Sequence, residues 1–234
     1  MTVAIGVSNS YECTAANQQQ SLYCLNNEGT GLGLAVSNAE NALHSYAGQS
    51  SANADILNQV NIAGGDDIES GPSFDTYNVT QDFMGGFAGE NNLTGGGYYL
   101  WDYGGVGSLC GSNCSTGNTT TWDYGEFYMA AWGYGWDMPL PENYNSNDTF
   151  EGAGWGAIYK NTVNTTVCKD CTFNGTFAGP IQFSGVMTDN GWNDSTYYNL
   201  FYNSGYGQPW PNQYYFDTCM PNLSFNSEQA TPCY

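Results

Sequence analysis

Glu126-Phe127-Tyr128-Met129-Ala130-Ala131-Trp132 is the stretch whose reading decides the fold. Taken with a period of two, Glu126, Tyr128, Ala130 and Trp132 share one face, and Phe127, Met129 and Ala131 share the other. That alternation predicts a half-buried β-strand. The surroundings repeat the theme. From Phe74 onwards, short aromatic segments stand between Gly, Asn and Asp turns. The predicted strands are 98–102, 120–124, 126–132, 155–163, 172–177, 181–187, 196–202 and 213–218. Their spacing of roughly 10–20 residues predicts a mainly-β chain with a β-sandwich or jelly-roll-like head. The tetrapeptide Trp-Asp-Tyr-Gly occurs at 101–104 and again at 122–125, as two equivalent strand ends would.

Upstream the pattern differs. Residues 2–8 alternate, with Val3, Ile5 and Val7 on one side, and predict a short strand. A strand at a terminus can pair within its own sheet or with a neighbouring subunit. Cys13 and Cys24 then bracket a polar loop or short helix. A helical segment is predicted near 31–62. Leu34, Ala35, Ala39, Ala42, Leu43, Tyr46 and Ala47 fall near i, i+3, i+4 spacing; Gly48 interrupts them. Ser51 is placed to cap a second helix carrying Ala54, Ile56, Leu57 and Val60, which Gly64-Gly65-Asp66-Asp67 would end. The chain thus divides into residues 1–77, a strand plus helices with a possible role in assembly, and residues 78–234, a β-rich head, within one continuous folding unit.

Composition narrows the function classes. The 234 residues include 19 Tyr, 7 Trp and 11 Phe, but only two bases, Lys160 and Lys169. The net charge of −20 reflects missing bases more than abundant acids. Nucleic acid and anionic membrane surfaces are excluded as partners, because phosphate contacts require Lys or Arg. So many aromatic residues also exclude a disordered acidic tail. No apolar run is long enough to span a bilayer, so no membrane span is expected. An acid habitat fits, since protonation of the carboxylates near pH 2–3 would bring the charge towards zero.

Nine Asn-X-Ser/Thr sequons occur, at Asn78, Asn92, Asn113, Asn118, Asn147, Asn164, Asn174, Asn193 and Asn222, and none lies in residues 1–77. Asparagine supply does not explain this, because the first 77 residues hold nine Asn. The later stretch reads as a glycan-bearing surface, and the earlier one as a segment where sugar would obstruct. Eight Cys accompany the sequons: Cys13, Cys24, Cys110, Cys114, Cys168, Cys171, Cys219 and Cys233. An even number beside so many sequons implies disulfides in an oxidising, extracellular compartment. Sequence proximity suggests 13–24, 110–114, 168–171 and 219–233. The rival is a four-cysteine zinc site joining Cys110 and Cys114 with Cys168 and Cys171.

Chemistry-bearing residues are sparse. His44 is the only histidine and has no motif around it. Glu126, on a face with aromatic residues, is the principal catalytic candidate, and the seven residues 126–132 resemble the catalytic strand of jelly-roll endoglucanases. That resemblance implies a retaining glycosidase with a second carboxylate, for which Glu151, Glu142 and Glu90 are available. The seven Trp could instead line a carbohydrate-binding face. Asp189-Asn-Gly-Trp-Asn-Asp194 has the oxygen-rich character of a calcium turn without full EF-hand spacing, so calcium is possible at Asp189 and Asp194. No resident metal or cofactor is otherwise expected, only covalent N-glycans.

Taken together, the sequons, the near-absence of Lys and Arg, the Tyr/Asn/Gly/Thr-rich segments and the strand-like N-terminus resemble the secreted N-glycosylated filament and surface proteins of thermophilic archaea, such as thread and pilus subunits. The eight Cys depart from that pattern. The resemblance implies a structural subunit of an extracellular, cell-surface filament, a homopolymer whose copies are joined through Val3, Ile5 and Val7 as a donated strand. The alternatives are a secreted polysaccharide-acting hydrolase or binding module, with glycans as partners, and a virion surface protein.

Overall fold

Residues 126–132 are helical rather than extended. α3 (Tyr124–Tyr128) runs directly into a π-helical turn, Met129–Gly133. Asp123 sits at the N-cap, where its Oδ1 accepts the Glu126 N–H at 2.9 Å while Glu126 Oε2 accepts the Asp123 N–H at 2.8 Å. This reciprocal capping box satisfies two of the donors that a helix start leaves open. Burial explains why alternation misleads here. Gly125, Phe127, Tyr128, Met129, Ala130 and Ala131 are all buried. A segment enclosed on nearly every side carries no amphipathic period, so a run of apolar residues fits helix and strand equally.

The computed structural model of the protein describes residues 2–7, 13, 18–68, 74, 77–93, 99–102, 104, 122–140, 149–166, 168, 170–183, 186–189 and 217–220. Helix takes up about half of this and strand about a sixth, which overturns the mainly-β, sandwich or jelly-roll expectation. The elements in order are β1 (Thr2–Val7), α1 (Gln18–Ala47), β2 (Asn61–Asp66), α2 (Tyr77–Leu93), β3 (Leu100–Asp102), α3, β4 (Asp137–Pro139), α4 (Thr149–Asn161), β5 (Val186–Asp189) and β6 (Asp217–Met220). β1 to β4 form one parallel sheet in the order β1-β2-β3-β4, and β5 pairs with β6 in a separate parallel pair. Parallel neighbours cannot be joined by tight turns, so α1, α2 and α3 serve as crossovers. The chain steps to the same side each time. The usual right-handed crossover puts successive connections of this kind on one face of the sheet, and α1 and α2 do pack against each other. The sheet takes β1 and β2 from the sequon-free part and β3 and β4 from the sequon-bearing part.

Other strand expectations fall for similar reasons. Residues 155–163 belong mostly to α4, where buried Trp155 and Ile158 follow helical spacing and Thr162, just past the helix end, donates its hydroxyl to the Ile158 carbonyl. Residues 122–124 supply the cap and first residue of α3. Residues 172–177 reduce to a tight hairpin with one bridge, Phe173 to Thr176. Of 98–102, the strand keeps Leu100–Asp102, and of 181–187 and 213–218 only the ends join β5 and β6. Residues 196–202 lie outside the described residues.

The helical region is shifted towards the N-terminus. α1 starts at Gln18 and stops at Ala47, before Gly48. Beyond it lies only a 3₁₀ turn, Ala54–Asn58, with Asn53 rather than Ser51 at its start. Residues 61–66, expected to close a helix, form the second strand of the sheet. Gly64 is the reason: a side chain there would lie 2.9 Å from Phe87 Cε2 and 3.0 Å from Leu100 Cδ1. A buried parallel strand need not alternate, and a glycine in it marks a close approach.

Glycine also sets the contact between α1 and α2. A Cβ on Gly29 would fall 2.1 Å from the Phe83 carbonyl oxygen, and one on Gly86 would fall 2.2 Å from that of Asn26. The two backbones touch at this crossing, and Asn26 Nδ2 donates to the Asp82 carbonyl at 3.1 Å. Leu25, Leu32 and Val36 from α1 and Phe83, Met84 and Phe87 from α2 are buried in the same core as Leu100, Phe127, Tyr128, Trp155 and Ile158. An aromatic column leaves this core for the surface. Phe87 meets Trp136 at 5.4 Å, Trp136 stacks on Tyr134 at 5.5 Å, and Tyr134 meets Phe173 edge-on at 4.8 Å between ring centroids.

Candidate functional site

In open parallel sheets, ligands gather at the carboxyl ends of the strands. Here two buried acids, Asp66 and Asp102, stand at that end, and a third, Asp137, opens β4 on the neighbouring strand. Asp66 ends β2 and is the register partner of Asp102 at the end of β3, so the two side chains emerge on the same face. Asp137 pairs with Leu100, two residues before Asp102 on that face. Each of the three carboxyls is about 1 % exposed.

Backbone donors hold one oxygen of each. Asp66 Oδ1 accepts the Asp67 N–H at 2.8 Å. Asp102 Oδ1 accepts from Gly104 at 2.9 Å and Ile68 at 3.3 Å. Asp137 Oδ1 accepts the Gly135 N–H at 3.0 Å. Burial raises Asp66 well above the usual carboxylate range; the Asp67 N–H opposes this, and Glu28, Asp102 and Asp67 add repulsion. Burial likewise raises Asp137 well above that range against its backbone hydrogen bonds, and Asp102 adds repulsion. The charges acting on Asp66 are all acidic and come from α1, from β3 and from Asp67 just after β2. Cys13 Sγ lies 3.3 Å from Glu28 Oε2 at this end of the sheet.

Such an arrangement can hold protons. Among the described residues, no group of three or more His, Cys, Asp or Glu is arranged to hold a metal ion. The sequence signals for this row were the Gly-Gly-Asp-Asp run, read as a helix end, and the twin Trp-Asp-Tyr-Gly. The two copies are not equivalent strand ends. Asp102 ends a strand and Asp123 caps a helix, yet each accepts a backbone N–H two or three residues further on.

The extended strand expected to carry Glu126 is not formed. The Glu126 carboxylate closes the α3 capping box, and the supposed shared face with Tyr128, Ala130 and Trp132 is wound into a helix. Its pKa is raised by partial burial, opposed by the Asp123 N–H. Glu90 is on α2, its Cβ 2.8 Å from where a Cβ on Gly33 would lie. Glu151 falls in the first turn of α4, and its side chain, like all of Glu142, is outside the described residues. His44 is an exposed residue of α1, 3.2 Å from Glu40 one turn earlier.

Asn78 in the first turn of α2, Asn164 after α4 and Asn174 in the 173–176 hairpin are all exposed. Asn164 Oδ1 accepts the Thr166 N–H at 2.9 Å, forming an Asx turn. Asn92 ends near the close of α2 with its side chain outside the described residues; Asn113, Asn118, Asn147, Asn193 and Asn222 lie wholly outside them. Cys13 and Cys24 stand at disulfide distance with Cα atoms 5.5 Å apart, and Cys168 and Cys171 do so at 5.4 Å. The second pair packs on the start of α3, where a Cβ on Gly125 would lie 3.2 Å from Cys168 Sγ. The pairing of Cys168 with Cys171 removes two of the four thiolates that a zinc site would need. Cys110, Cys114 and Cys233 are outside the described residues, and so is the side chain of Cys219. The side chain of Asp189, which ends β5, and the whole of Asp194 are likewise outside.

β1 pairs along its whole length with β2, from Thr2 opposite Asn61 to Val7 opposite Asp66. It is the first strand of the sheet order, and no described strand borders its other edge. Val3 is exposed and Ile5 is partly buried against the core. No helix among the described residues is long and apolar enough to cross a membrane. Compared with known proteins, the chain matches no family model, no curated protein and no solved structure.

Proposed function

We propose that this chain is the structural subunit of an acid-adapted, N-glycosylated extracellular assembly, with copies joined through the sugar-free N-terminal region. The observation that carries this reading is where apolar surface lies. Of six exposed large hydrophobic side chains among the described residues, Val3, Tyr23, Leu34 and Tyr46 belong to residues 1–77, the part without sequons. They lie on the sheet-edge strand β1 and on the outward side of α1. Exposed apolar surface is ordinary when scattered, but here it coincides with the segment that lacks glycan acceptors. An uncharged edge strand such as Thr-Val-Ala-Ile-Gly-Val also leaves backbone donors and acceptors on one side, which a second copy can pair. The exposed positions of Asn78, Asn164 and Asn174 suit glycan attachment on the rest of the surface.

Because β1 belongs to its own sheet, deleting residues 1–8 would remove a strand, and point changes test assembly more cleanly. Val3→Lys with Leu34→Glu places charge on both exposed elements. The wild type should form fibres or large oligomers by negative-stain microscopy and mass photometry. The double variant should be monomeric with a melting temperature close to wild type, as expected for exposed sites. A wild type that stays monomeric at every accessible concentration would defeat the assembly reading.

A further inference from the structure

The Phe173–Thr176 hairpin is built beyond what a turn requires. Phe173 and Thr176 exchange both backbone hydrogen bonds at 2.9 Å. Between them Asn174 has φ 51° and Gly175 has φ 77°, the two left-handed residues of a type I′ turn. Turn chemistry alone accounts for Asn-Gly, since both residues tolerate that backbone. It does not account for threonine at 176, which completes the sequon, or for a phenylalanine 40 % exposed at 173.

Directly opposed residues of a hairpin project to one face, and Asn174 is the next residue along from Phe173. The Phe173 ring is held from beneath, edge-on to Tyr134 at 4.8 Å, and Tyr134 is fixed in turn by Trp136. The ring is therefore a braced platform one residue from a glycan acceptor. Its negative π face suits the weakly positive C–H face of a pyranose.

We propose that Phe173 is the seat for the first sugar on Asn174, so that the glycan stacks on the ring and caps the aromatic column running from Phe87 to the surface. This deepens the glycoprotein reading above and rests on it. Attachment is the usual transfer from a lipid-phosphate-linked saccharide: the Asn174 Nδ2–C1 bond forms, the C1–O bond to phosphate breaks, and the amide proton leaves with the phosphate. Stacking is then a property of this hairpin.

The test uses the full chain secreted from a eukaryotic host that installs N-acetylglucosamine first. Thr176→Val removes the acceptor while preserving Asn174-Gly175, and Phe173→Leu removes the ring. Melting temperatures are compared in a double-mutant cycle. Loss of the sugar should lower the melting temperature by about 2–4 °C when Phe173 is present, the shift one ring contact gives a chain of this size. It should have little effect in the Phe173→Leu background. Ring-current upfield shifts of the first sugar's axial protons should appear in wild type and vanish in Phe173→Leu. Sugar present on Asn174 by mass spectrometry, with equal melting shifts in both backgrounds and no upfield shift, overturns the seat while leaving the glycoprotein reading intact. An unmodified Asn174 overturns both at this site.

Discussion

Raising the pH from 4 to 7 should destabilise this protein, and the buried carboxyls set the slope. Asp66 and Asp137 have native pKa values raised well above the ordinary range, chiefly by burial. In the unfolded chain an aspartate ionises near about pH 3.9. Below that value both states are protonated, and the contribution of these groups to stability is complete. As the pH rises, the unfolded state sheds protons while the native state keeps them, so stability falls until the native carboxyls themselves ionise. Each such group contributes about 1.4 kcal/mol per pH unit within that window. Two groups give about 2.7 kcal/mol per pH unit, or roughly 5–11 °C in melting temperature for a chain of this length. Self-repulsion within a chain of net charge −20 has the same sign, so a falling melting curve is not enough. Asp66→Asn and Asp137→Asn separate the two effects, because each removes only one charge of many but should flatten the slope by about 1.4 kcal/mol per pH unit. Calorimetry from pH 3 to 7 on wild type and both variants is the assay. A melting temperature that is level or rising with pH, or variants that leave the slope unchanged, would refute the reasoning.

Three further outcomes follow from the packing. Gly86→Ala puts a methyl against the Asn26 carbonyl at the α1–α2 crossing and should cost about 1–3 kcal/mol in chemical denaturation, because two backbones must part. Phe87→Ala empties a fully buried site between Gly64 and Trp136, with an expected loss of about 3–5 kcal/mol by the same measurement. Glu126→Ala should cost about 0.5–1.5 kcal/mol through the lost hydrogen bond to the Asp123 N–H, whereas Glu126→Gln, which still completes a capping box, should be nearly neutral in thermal unfolding.

The sequence was legible where one face of an element meets water. β1 was read from its alternation, and the end of α1 from Gly48, because both elements are part-exposed. Legibility failed where burial is complete. Residues 127–131 are buried throughout, and the helix start is announced only by Asp123 and Glu126 at capping-box spacing, a signal that the alternation outweighed. Gly64-Gly65 looks like a turn until Phe87, from α2, is seen to occupy the space a side chain would need. α4 contains Gly152, Gly154 and Gly156, which weaken any helical reading, and tertiary burial of Trp155 and Ile158 overrides them. The carboxyl row was invisible for a different reason. Asp66, Asp102 and Asp137 are far apart in sequence and come near one another only because three parallel strands lie side by side, with Asp66 level with Asp102 and Asp137 level with Leu100.

The strictly sequential order of the four-stranded sheet bears on how such a chain could be built as it emerges during synthesis. No strand has to be inserted between two that are already paired. Once the chain has emerged as far as Asp66, β2 can settle beside β1, and each later crossover then adds one strand to the growing margin. Few partly formed intermediates need to be undone along such a route, since each addition reaches back mainly to the strand laid down before it. The first strand keeps its outer margin uncovered by the described elements throughout, so a copy emerging nearby would find the same margin available from the moment the first crossover closes.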